Sequence, residues 1–332
     1  MSVITKGNRE LMIDVVTLGE LLIDFVPTQS GVSLIDAPSF KKAPGGAPAN
    51  VAAGLAKLGV STAFLGKVGD DAFGQFLKTT LDNVGVDTRG VVFSHEARTA
   101  LAFVSLHSDG EREFMFYRHP SADMLYTPEE VNGSLIEKAK ILHVGSISLI
   151  SEPSRSATLS ALEIARENHV LISYDPNLRL ALWSDPTAAK TGMLSIWDQA
   201  DMIKISEEEL QFLTGSDDVD EAVFTLWHEN LKLLVVTLGS QGSQYFTPNF
   251  SGYIPGFQVK AVDTTGAGDG FVAGLISGLL NFPQGWEVED QLVAICRRAN
   301  AVGALTTTRL GAIPSLPTSK QLDAFMDEQD NK

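Results

Sequence analysis

Short apolar runs recur along the chain, and more polar stretches separate them. Most of these runs are apolar at both alternate positions, which is the pattern of strands covered on both faces of a sheet. The pattern predicts strands at 15–18, 62–65, 141–144, 170–174, 202–205 and 233–237.

Helical segments lie between these strands. Residues 48–58 begin with a proline, carry an apolar face and are followed by Gly59, which is the usual order of start and stop signals. Similar patterns predict helices at 156–167 and 207–213. Alternating strands and helices indicate an α/β fold, namely a doubly wound, mostly parallel sheet with helices on both faces.

Two stretches interrupt the alternation. Residues 20–43 hold an extended segment with no helix after it, and residues 99–118 have the pattern of a hairpin that turns at Ser108-Asp109-Gly110. A small additional β-sheet would account for both stretches. Such a sheet would serve as a lid over a site, as a dimer interface, or simply as a peripheral sheet.

Composition narrows the class of protein. The chain has 332 residues, of which 44% are apolar and 20% charged, so it is long enough and apolar enough for a large core. The formal charge of −16 disfavours nucleic acid and anionic membranes as partners. No apolar run is long enough to span a bilayer, and the first residues do not resemble a secretory signal, so we expect a cytoplasmic protein. The single cysteine, Cys296, is expected to be a buried helical residue.

Polar residues follow several predicted strands directly. Ligands of open parallel sheets bind beyond the carboxyl ends of the strands, so these positions would line a cleft. The positions are Gly19-Glu20, Gly145-Ser146, Asp175-Pro-Asn177, Ser206-Glu207 and Gly239-Ser240.

The strongest chemical signal is the run Asp263-Thr-Thr-Gly-Ala-Gly-Asp269, which leads into an apolar helix predicted at 271–280. Gly266, Ala267 and Gly268 leave backbone N–H groups accessible to phosphoryl oxygens at the start of this helix. Asp269 beside them is suited to accept a proton from a substrate hydroxyl. The alternative interpretation is that Asp269 only caps the helix.

Three other motifs are weaker when each is taken alone. Gly45 and Gly46 let a ligand approach the backbone before Asn50, whose amide suits hydroxyl groups, although Gly-Gly before a helix is also a common turn. Asp24 interrupts an apolar run and is either exposed or turned into a cleft. The loop 237–242 either contacts a nucleotide or is simply a hairpin turn. The chain contains no P-loop, no Gly-x-Gly-x-x-Gly after the first strand and no His-Glu-x-x-His.

Taken together and in this order, the motifs resemble those of the PfkB/ribokinase family of sugar kinases, from about residue 13 to about residue 325. Within the family the chain is most similar to fructokinases, in stretches such as Gly19-Glu-Leu-Leu-Ile-Asp24 and Tyr174-Asp-Pro-Asn-Leu-Arg179. The resemblance implies one ribokinase-like domain over 13–328 with lid segments at about 20–43 and 99–118. It also implies ATP with Mg²⁺, often K⁺, and a homodimer formed through the lids.

The resemblance implies phosphorylation of D-fructose by ATP to give fructose 6-phosphate. The main alternative is a 2-keto-3-deoxygluconate kinase, since Arg118 and Arg179 would hold a carboxylate. A minor alternative is a catalytically silent homologue of a kinase.

The resemblance also implies roles for individual residues. Asp269 would be the base, and residues 266–268 would form the anion hole. The remaining implied positions are Asp24, Gly45, Gly46, Asn50, Arg118 and Arg179 for the sugar, Thr237, Gly239, Gly242 and Asn300 for the nucleotide, Glu209 for Mg²⁺ through water, and Asp263 and Ser315 for K⁺. The chain departs from the family at Ser206, where many relatives have asparagine.

Overall fold

In the computed structural model, residues 12–29, 31–106 and 112–331 are described. The predicted turn at Ser108-Asp109-Gly110 therefore lies outside the described residues. The strands are β1 Val15–Leu18, β2 Leu22–Pro27, β3 Phe40–Gly45, β4 Thr62–Gly69, β5 Asp87–Ser94, β6 Leu101–Leu106, β7 Arg112–Tyr117, β8 Ile141–Gly145, β9 Leu171–Asp175, β10 Met202–Ser206, β11 Leu233–Thr237, β12 Gly242–Phe246 and β13 Ser251–Pro255.

The helices alternate with the strands of the main sheet for much of the chain. They are α1 Ala47–Lys57, α2 Ala72–Val84, α3 Gly133–Ile136, α4 Ser154–Glu167, α5 Pro186–Leu194, α6 Glu207–Thr214, α7 Val219–Leu226, α8 Ala267–Asn281, α9 Glu289–Thr306, α10 Ala312–Ser315 and α11 Ser319–Asp330. None of these helices is both long and apolar enough to cross a bilayer.

The larger sheet has the strand order β13-β12-β11-β10-β9-β8-β1-β4-β5. The strands from β11 to β5 in this order are parallel, whereas β12 and β13 extend one edge with antiparallel pairs. Buried apolar residues of α1, α8 and α9 cover one face, and those of α4 to α7 cover the other. The prediction of a doubly wound, mostly parallel sheet is confirmed.

The smaller sheet has the order β3-β2-β6-β7. It joins the two stretches that interrupt the alternation in the sequence, because β2 pairs in parallel with β6 while β3 and β7 add antiparallel partners. The side chains of β2 alternate between the two faces. Leu22, Asp24 and Val26 line a cleft, whereas Ile23 and Phe25 pack into an apolar cluster with residues of α2. We call this four-stranded sheet the lid.

The strand β1 lies at the point where the sheet changes direction. From β1 the chain adds β4 and β5 on one side, and it later returns to add β8 to β11 on the other side. The loops after β1 and β8 therefore diverge, which opens a crevice at the carboxyl ends of these two strands.

Candidate active site

A cleft of about 680 Å³ runs along the carboxyl ends of the parallel strands, with the lid on one side. Its lining combines apolar lid residues with polar residues from the strand ends. The lining includes Glu20, Leu22, Asp24, Val26, Ala43, Gly46, Asn50, Val104, Phe116, Asn177, Arg179, Lys204, Glu209, Thr237, Gly239, Asp263, Gly266, Gly268 and Asp269.

Asp269 lies inside the first turn of α8 and not at its cap. Gly266 is the N-cap, with the positive φ of 79° that favours glycine, and the helix begins at Ala267. The helix therefore starts four residues before the position predicted from the apolar run. The interpretation of Asp269 as a mere N-cap is wrong, because its carboxylate is turned toward side chains of other elements.

The start of α8 offers fewer backbone N–H groups to an anion than the sequence predicted. We call the two that remain, at Gly268 and Asp269, the cradle. The N–H of Ala267 donates to the carbonyl of Thr264 at 3.2 Å, so it is already engaged. Helix geometry leaves the N–H groups of Gly268 and Asp269 without intrahelical acceptors. A side chain at position 268 would begin 3.1 Å from the ammonium group of Lys204, so glycine keeps this surface of the cradle open.

Two amides hold the carboxylate of Asp269. Asn50 Nδ2 donates to Oδ2 at 2.8 Å, and Asn177 Nδ2 lies 3.3 Å from Oδ1. Burial raises the pKa of Asp269 above its usual value, and the hydrogen bond from Asn50 and the charges of Lys204 and Arg179 oppose this rise without cancelling it. A raised pKa makes the carboxylate a stronger proton acceptor, as a general base requires.

Lys204 brings a positive charge to the middle of the cleft. It lies on β10, and its ammonium group is 3.1 Å and 3.3 Å from the two carboxylate oxygens of Asp175 on β9. Both side chains are almost fully buried. Burial alone would lower the pKa of Lys204, but the carboxylates of Asp175 and Glu209 raise it above its usual range, so the lysine is charged.

The predicted sugar residues Asp24, Gly46 and Asn50 lie together at the lid end of the cleft. Gly45 leaves room for the carboxylate of Asp24, because any side chain at position 45 would collide with it. Gly46 has φ of 108° and passes so close to the backbone of Glu20 that only glycine fits. Burial raises the pKa of Asp24 to about 7, and the carboxylates of Asp269 and Asp263 add to this effect.

Arg118 does not join this group. It is 4% exposed, and its guanidinium is bound to the carboxylate of Asp123, with Nε at 3.0 Å. The prediction that Arg118 contacts the substrate is therefore not supported by its position. Arg118 instead lies close enough to Glu20 to lower the pKa of that residue, which burial raises to about 7. Glu20 accepts a hydrogen bond from the N–H of Ala47 at 2.8 Å and so fixes the start of α1.

The predicted nucleotide residues lie at the other end of the cleft. Thr237 and Gly239 line the cleft and also an adjoining, more apolar cavity of about 260 Å³, which Gly242 and Asn300 line as well. The interpretation of the loop 237–242 as a hairpin turn is confirmed, since β11 and β12 pair as antiparallel neighbours, and its contact with a nucleotide stays a prediction. The Nδ2 of Asn300 donates to the carbonyls of Ile254 and Pro255 at 3.1 Å and 3.3 Å.

Glu209 and Ser206 form a reciprocal cap at the start of α6. The N–H of Glu209 donates to the hydroxyl of Ser206 at 3.2 Å, and the N–H of Ser206 donates to Glu209 Oε2 at 2.9 Å. Glu209 Oε1 accepts a further bond from the N–H of Leu178 at 2.6 Å. Ser206, which departs from the family pattern, therefore has a structural role as the N-cap of α6.

Asp263 and Ser315 are connected through Gly311. The N–H of Gly311 donates to Asp263 Oδ2 at 2.9 Å, and the hydroxyl of Ser315 donates to the carbonyl of Gly311. Asp263 Oδ1 accepts from the N–H and the hydroxyl of Thr265 at 2.9 Å and 2.7 Å. These contacts place the loop before α8 against α10.

Among the cleft residues that were not predicted, Lys204, Asn177 and Glu20 make polar contacts that shape the site. Glu20 and Asn177 carried a usable signal, because each follows a predicted strand directly. Lys204 was hidden by its position inside an apolar run, although a lysine in a strand buried on both faces is itself unusual.

The sequence matches the model of the pfkB family carbohydrate kinases over residues 12–319. The chain belongs to this family. Among curated relatives, fructokinase-1 of Zea mays is 58% identical over 95% of this chain and 97% of its own length. A probable fructokinase-4 of Arabidopsis thaliana is 57% identical over 97% of this chain and 98% of its own length.

Solved structures of carbohydrate kinases share the fold. A fructokinase from Xylella fastidiosa with bound ATP superposes with a TM-score of 0.86 at 33% identity, covering 96% of this chain and 100% of that chain. A double-mutant fructokinase from Vibrio cholerae, bound to fructose, ADP and a potassium ion, gives a TM-score of 0.85 at 39% identity and covers 95% of this chain and 98% of that chain. The chain is accordingly a sugar kinase with a ribokinase-like fold.

Proposed function

We propose that this pfkB-family kinase transfers the γ-phosphoryl group of ATP to the hydroxymethyl oxygen of D-fructose, giving fructose 6-phosphate and ADP. The observation that carries the proposal is the position of Asp269, which lies between the lid end of the cleft and the cradle at the start of α8. The relatives named as fructokinases, at 55–58% identity over most of the chain, support fructose as the acceptor.

The geometry suits an in-line transfer with Asp269 as the base. Asp269 would accept the proton of the fructose hydroxyl as its oxygen attacks the γ-phosphorus, and the bond to the ADP oxygen breaks. The N–H groups of Gly268 and Asp269 would bind the oxygens of the transferring phosphoryl group. Lys204 lies beside Gly268 and would neutralise part of the same charge.

The lid end of the cleft suits a neutral polyol. Asp24 offers carboxylate oxygens to hydroxyl donors, and the Oδ1 of Asn50 has no hydrogen-bond partner among the described residues. A buried acceptor left without a partner costs about 1–3 kcal/mol, so a substrate hydroxyl bound there would recover that energy. Apolar lid residues complete the wall, namely Leu22, Val26, Val104 and Phe116.

The carboxylates of the cleft fit a magnesium ion that the nucleotide brings with it. No group of three metal-ligating side chains occurs among the described residues, and both oxygens of Glu209 accept backbone N–H groups. Mg²⁺ commonly keeps several waters and is held by phosphates and one or two carboxylates, so Glu209 would hold it through water. The ion would offset charge on the phosphates. At the predicted K⁺ position, both side-chain oxygens of Asp263 already accept hydrogen bonds from Thr265 and Gly311.

The contacts of Arg118 do not favour the 2-keto-3-deoxygluconate alternative. The predicted clamp for the carboxylate of the keto acid used two arginines, but Arg118 is committed to Asp123, which leaves Arg179 as the arginine among the described lining residues. The silent-homologue alternative is not favoured either, because the base and the glycines of the cradle are all present.

We further propose a homodimer that forms through the lid, with a cytoplasmic location. The face of the lid away from the cleft carries aromatic and apolar side chains, and Phe25 stacks on Phe103 with ring centroids 4.9 Å apart. Met115 and Tyr117 on β7 are 42% and 56% exposed, so this face presents apolar surface to solvent. The assignment of residues 13–328 to one domain stays a prediction.

Steady-state turnover with ATP and a panel of sugars tests the proposal. Fructose is expected to have the highest kcat/KM in direct competition with 2-keto-3-deoxygluconate. The variant D269N, which keeps the shape of the side chain, is expected to lose about 10²–10⁴-fold in kcat. A smaller loss would rule out Asp269 as the base, and preference for the keto acid would rule out fructose as the acceptor.

A further inference from the structure

Asn177 adopts a left-handed backbone conformation, which is uncommon for residues other than glycine. Its φ is 47°, and the only other non-glycine residue with positive φ in the described part of the chain is His169, at 58°. Asparagine tolerates this region better than most residues, but the conformation still has a cost. Residues in such conformations persist where neighbouring contacts fix them, and they cluster at functional sites.

The residues on either side of Asn177 are fixed by contacts to different strand ends. Asp175 binds the ammonium group of Lys204, and the carbonyl of Pro176 accepts hydrogen bonds from the N–H and the hydroxyl of Ser146 at 3.3 Å and 2.5 Å. The N–H of Leu178 donates to Glu209. The backbone at Asn177 is therefore held from both sides, and its side chain has a defined direction.

That direction is toward Asp269. Asn177 is 9% exposed, and its Nδ2 lies 3.3 Å from Asp269 Oδ1, while Asn50 donates to the other oxygen. With one amide on each oxygen, the carboxylate cannot rotate without losing a hydrogen bond. Its plane is thereby fixed relative to the cleft.

Charged groups on several elements also act on Asp269. Lys204 on β10 and Arg179 after β9 lower the pKa of Asp269, whereas burial raises it. Asp24 on the lid and Asp175 on β9 lie close enough for the charge of Asp269 to raise the pKa of each. In this balance of opposing charges, a neutral N–H donor holds the carboxylate without adding another charge.

We infer that Asn177 is a positioning residue for the catalytic base: its amide, set in place by the left-handed backbone, holds Asp269 Oδ1 and so orients the carboxylate toward the acceptor hydroxyl. The inference rests on the proposed function, in which Asp269 is the base. Asn177 acts through Asp269 and need not touch the transferring atoms.

The variants N177G and N177D test this inference in the full chain. Glycine keeps the backbone conformation and removes the amide, so N177G is expected to lower kcat by about 10²-fold, as for a misplaced reacting group, with little change in KM for ATP. H169G is the matched control, because it makes the same change at the other positive φ, in an exposed position. H169G is expected to keep normal turnover.

N177D replaces the donor with a second carboxylate facing Asp269. The like charge is expected to move the acid limb of the kcat/KM profile upward by about 1 pH unit or more. In the D269N background, N177G is expected to add no further loss, because the residue acts through the base.

The outcomes separate this inference from the proposed function. Normal turnover of D269N would remove Asp269 as the base, whatever the Asn177 variants do. A strong loss in D269N combined with normal rates and an unshifted profile in N177G and N177D would overturn the role of Asn177 alone. An independent further loss from N177G in the D269N background would overturn it as well.

Discussion

The ammonium group of Lys204 lies 3.1 Å and 3.3 Å from the two carboxylate oxygens of Asp175, and this ion pair is buried between neighbouring parallel strands. A buried ion pair contributes little net stability when compared with apolar residues of the same size, because both charges lose their hydration. In the proposed reaction, the positive charge of Lys204 beside the cradle at Gly268 would act on the phosphates.

Replacing Lys204 is expected to affect stability and turnover by separate routes. K204M leaves Asp175 buried without its partner, which should lower the free energy of unfolding by about 3–5 kcal/mol and also reduce kcat. The double variant K204M/D175N removes both charges. It should recover most of the stability in urea unfolding but not the turnover. Recovery of both would show that Lys204 has only a structural role.

Gly266 offers a test of the cradle that separates backbone strain from crowding. In G266A the backbone would have to keep a positive φ of 79°, which alanine disfavours, and the new Cβ would lie 2.7 Å from the Cβ of Ala312. In G85A the φ is 92°, but no atom lies within 4 Å, so only the strain remains. We expect G85A to lose about 1 kcal/mol of stability with normal kcat.

G266A is expected to lose more stability than G85A and to raise KM for ATP or lower kcat, because the start of α8 must move. Thermal unfolding and steady-state kinetics measure both effects. Equal behaviour of the two variants would show that the position of the helix start is not critical for phosphate binding.

The sequence predicted the main sheet well because most of its strands are buried on both faces and therefore appear in the sequence as apolar runs. The predicted strand 15–18 agrees with β1 at both ends. The strand β5, Asp87–Ser94, was missed because it lies at the sheet edge and mixes polar with apolar residues. The start of α8 was misplaced because glycines at 266 and 268 hide a helix whose first turn depends on the positive φ of Gly266.

The sequence predicted residues that line the cleft where glycine patterns and carboxylates lie close together along the chain, as at Asp24 and Asp269. Contacts that join distant strand ends left no local signal. Arg118 looked like a substrate ligand, yet its partner Asp123 follows only five residues later and holds it inside the protein. Lys204 looked like part of an apolar strand, and only the parallel register beside β9 brings it to Asp175.

The exposed side chains of β7 provide a test of the lid dimer. Met115 and Tyr117 are 42% and 56% exposed, so replacing both with charged residues should leave the fold intact and shift the mass in light scattering from dimer to monomer. Phe224 on α7 is 84% exposed and far from the lid in sequence, and F224K is the matched control. A dimer that survives the β7 changes, or is lost with F224K, would contradict an interface at the lid.

The pKa of Asp24 gives the protein a defined dependence of stability on pH. Burial raises this pKa to about 7 in the folded protein, from 3.8 as the ordinary value. A carboxyl whose folded pKa is raised favours the folded state fully below its unfolded pKa, and this contribution is lost as pH rises through the folded pKa. From pH 4 to pH 8, ionisation of Asp24 should therefore lower the free energy of unfolding, by at most about 4 kcal/mol.

D24N removes this ionisation and keeps the shape of the side chain. In urea unfolding, D24N and the natural protein should be similar at pH 4, and D24N should be the more stable at pH 8. E20Q provides the comparison for the other carboxyl whose pKa is raised to about 7. Parallel stability curves for D24N and the natural protein would contradict the raised pKa.

Because the ionised form of Asp24 accepts hydroxyl donors, the binding of fructose should also depend on this pKa. In the natural protein, KM for fructose should fall as pH rises through 7, whereas KM for ATP should change little.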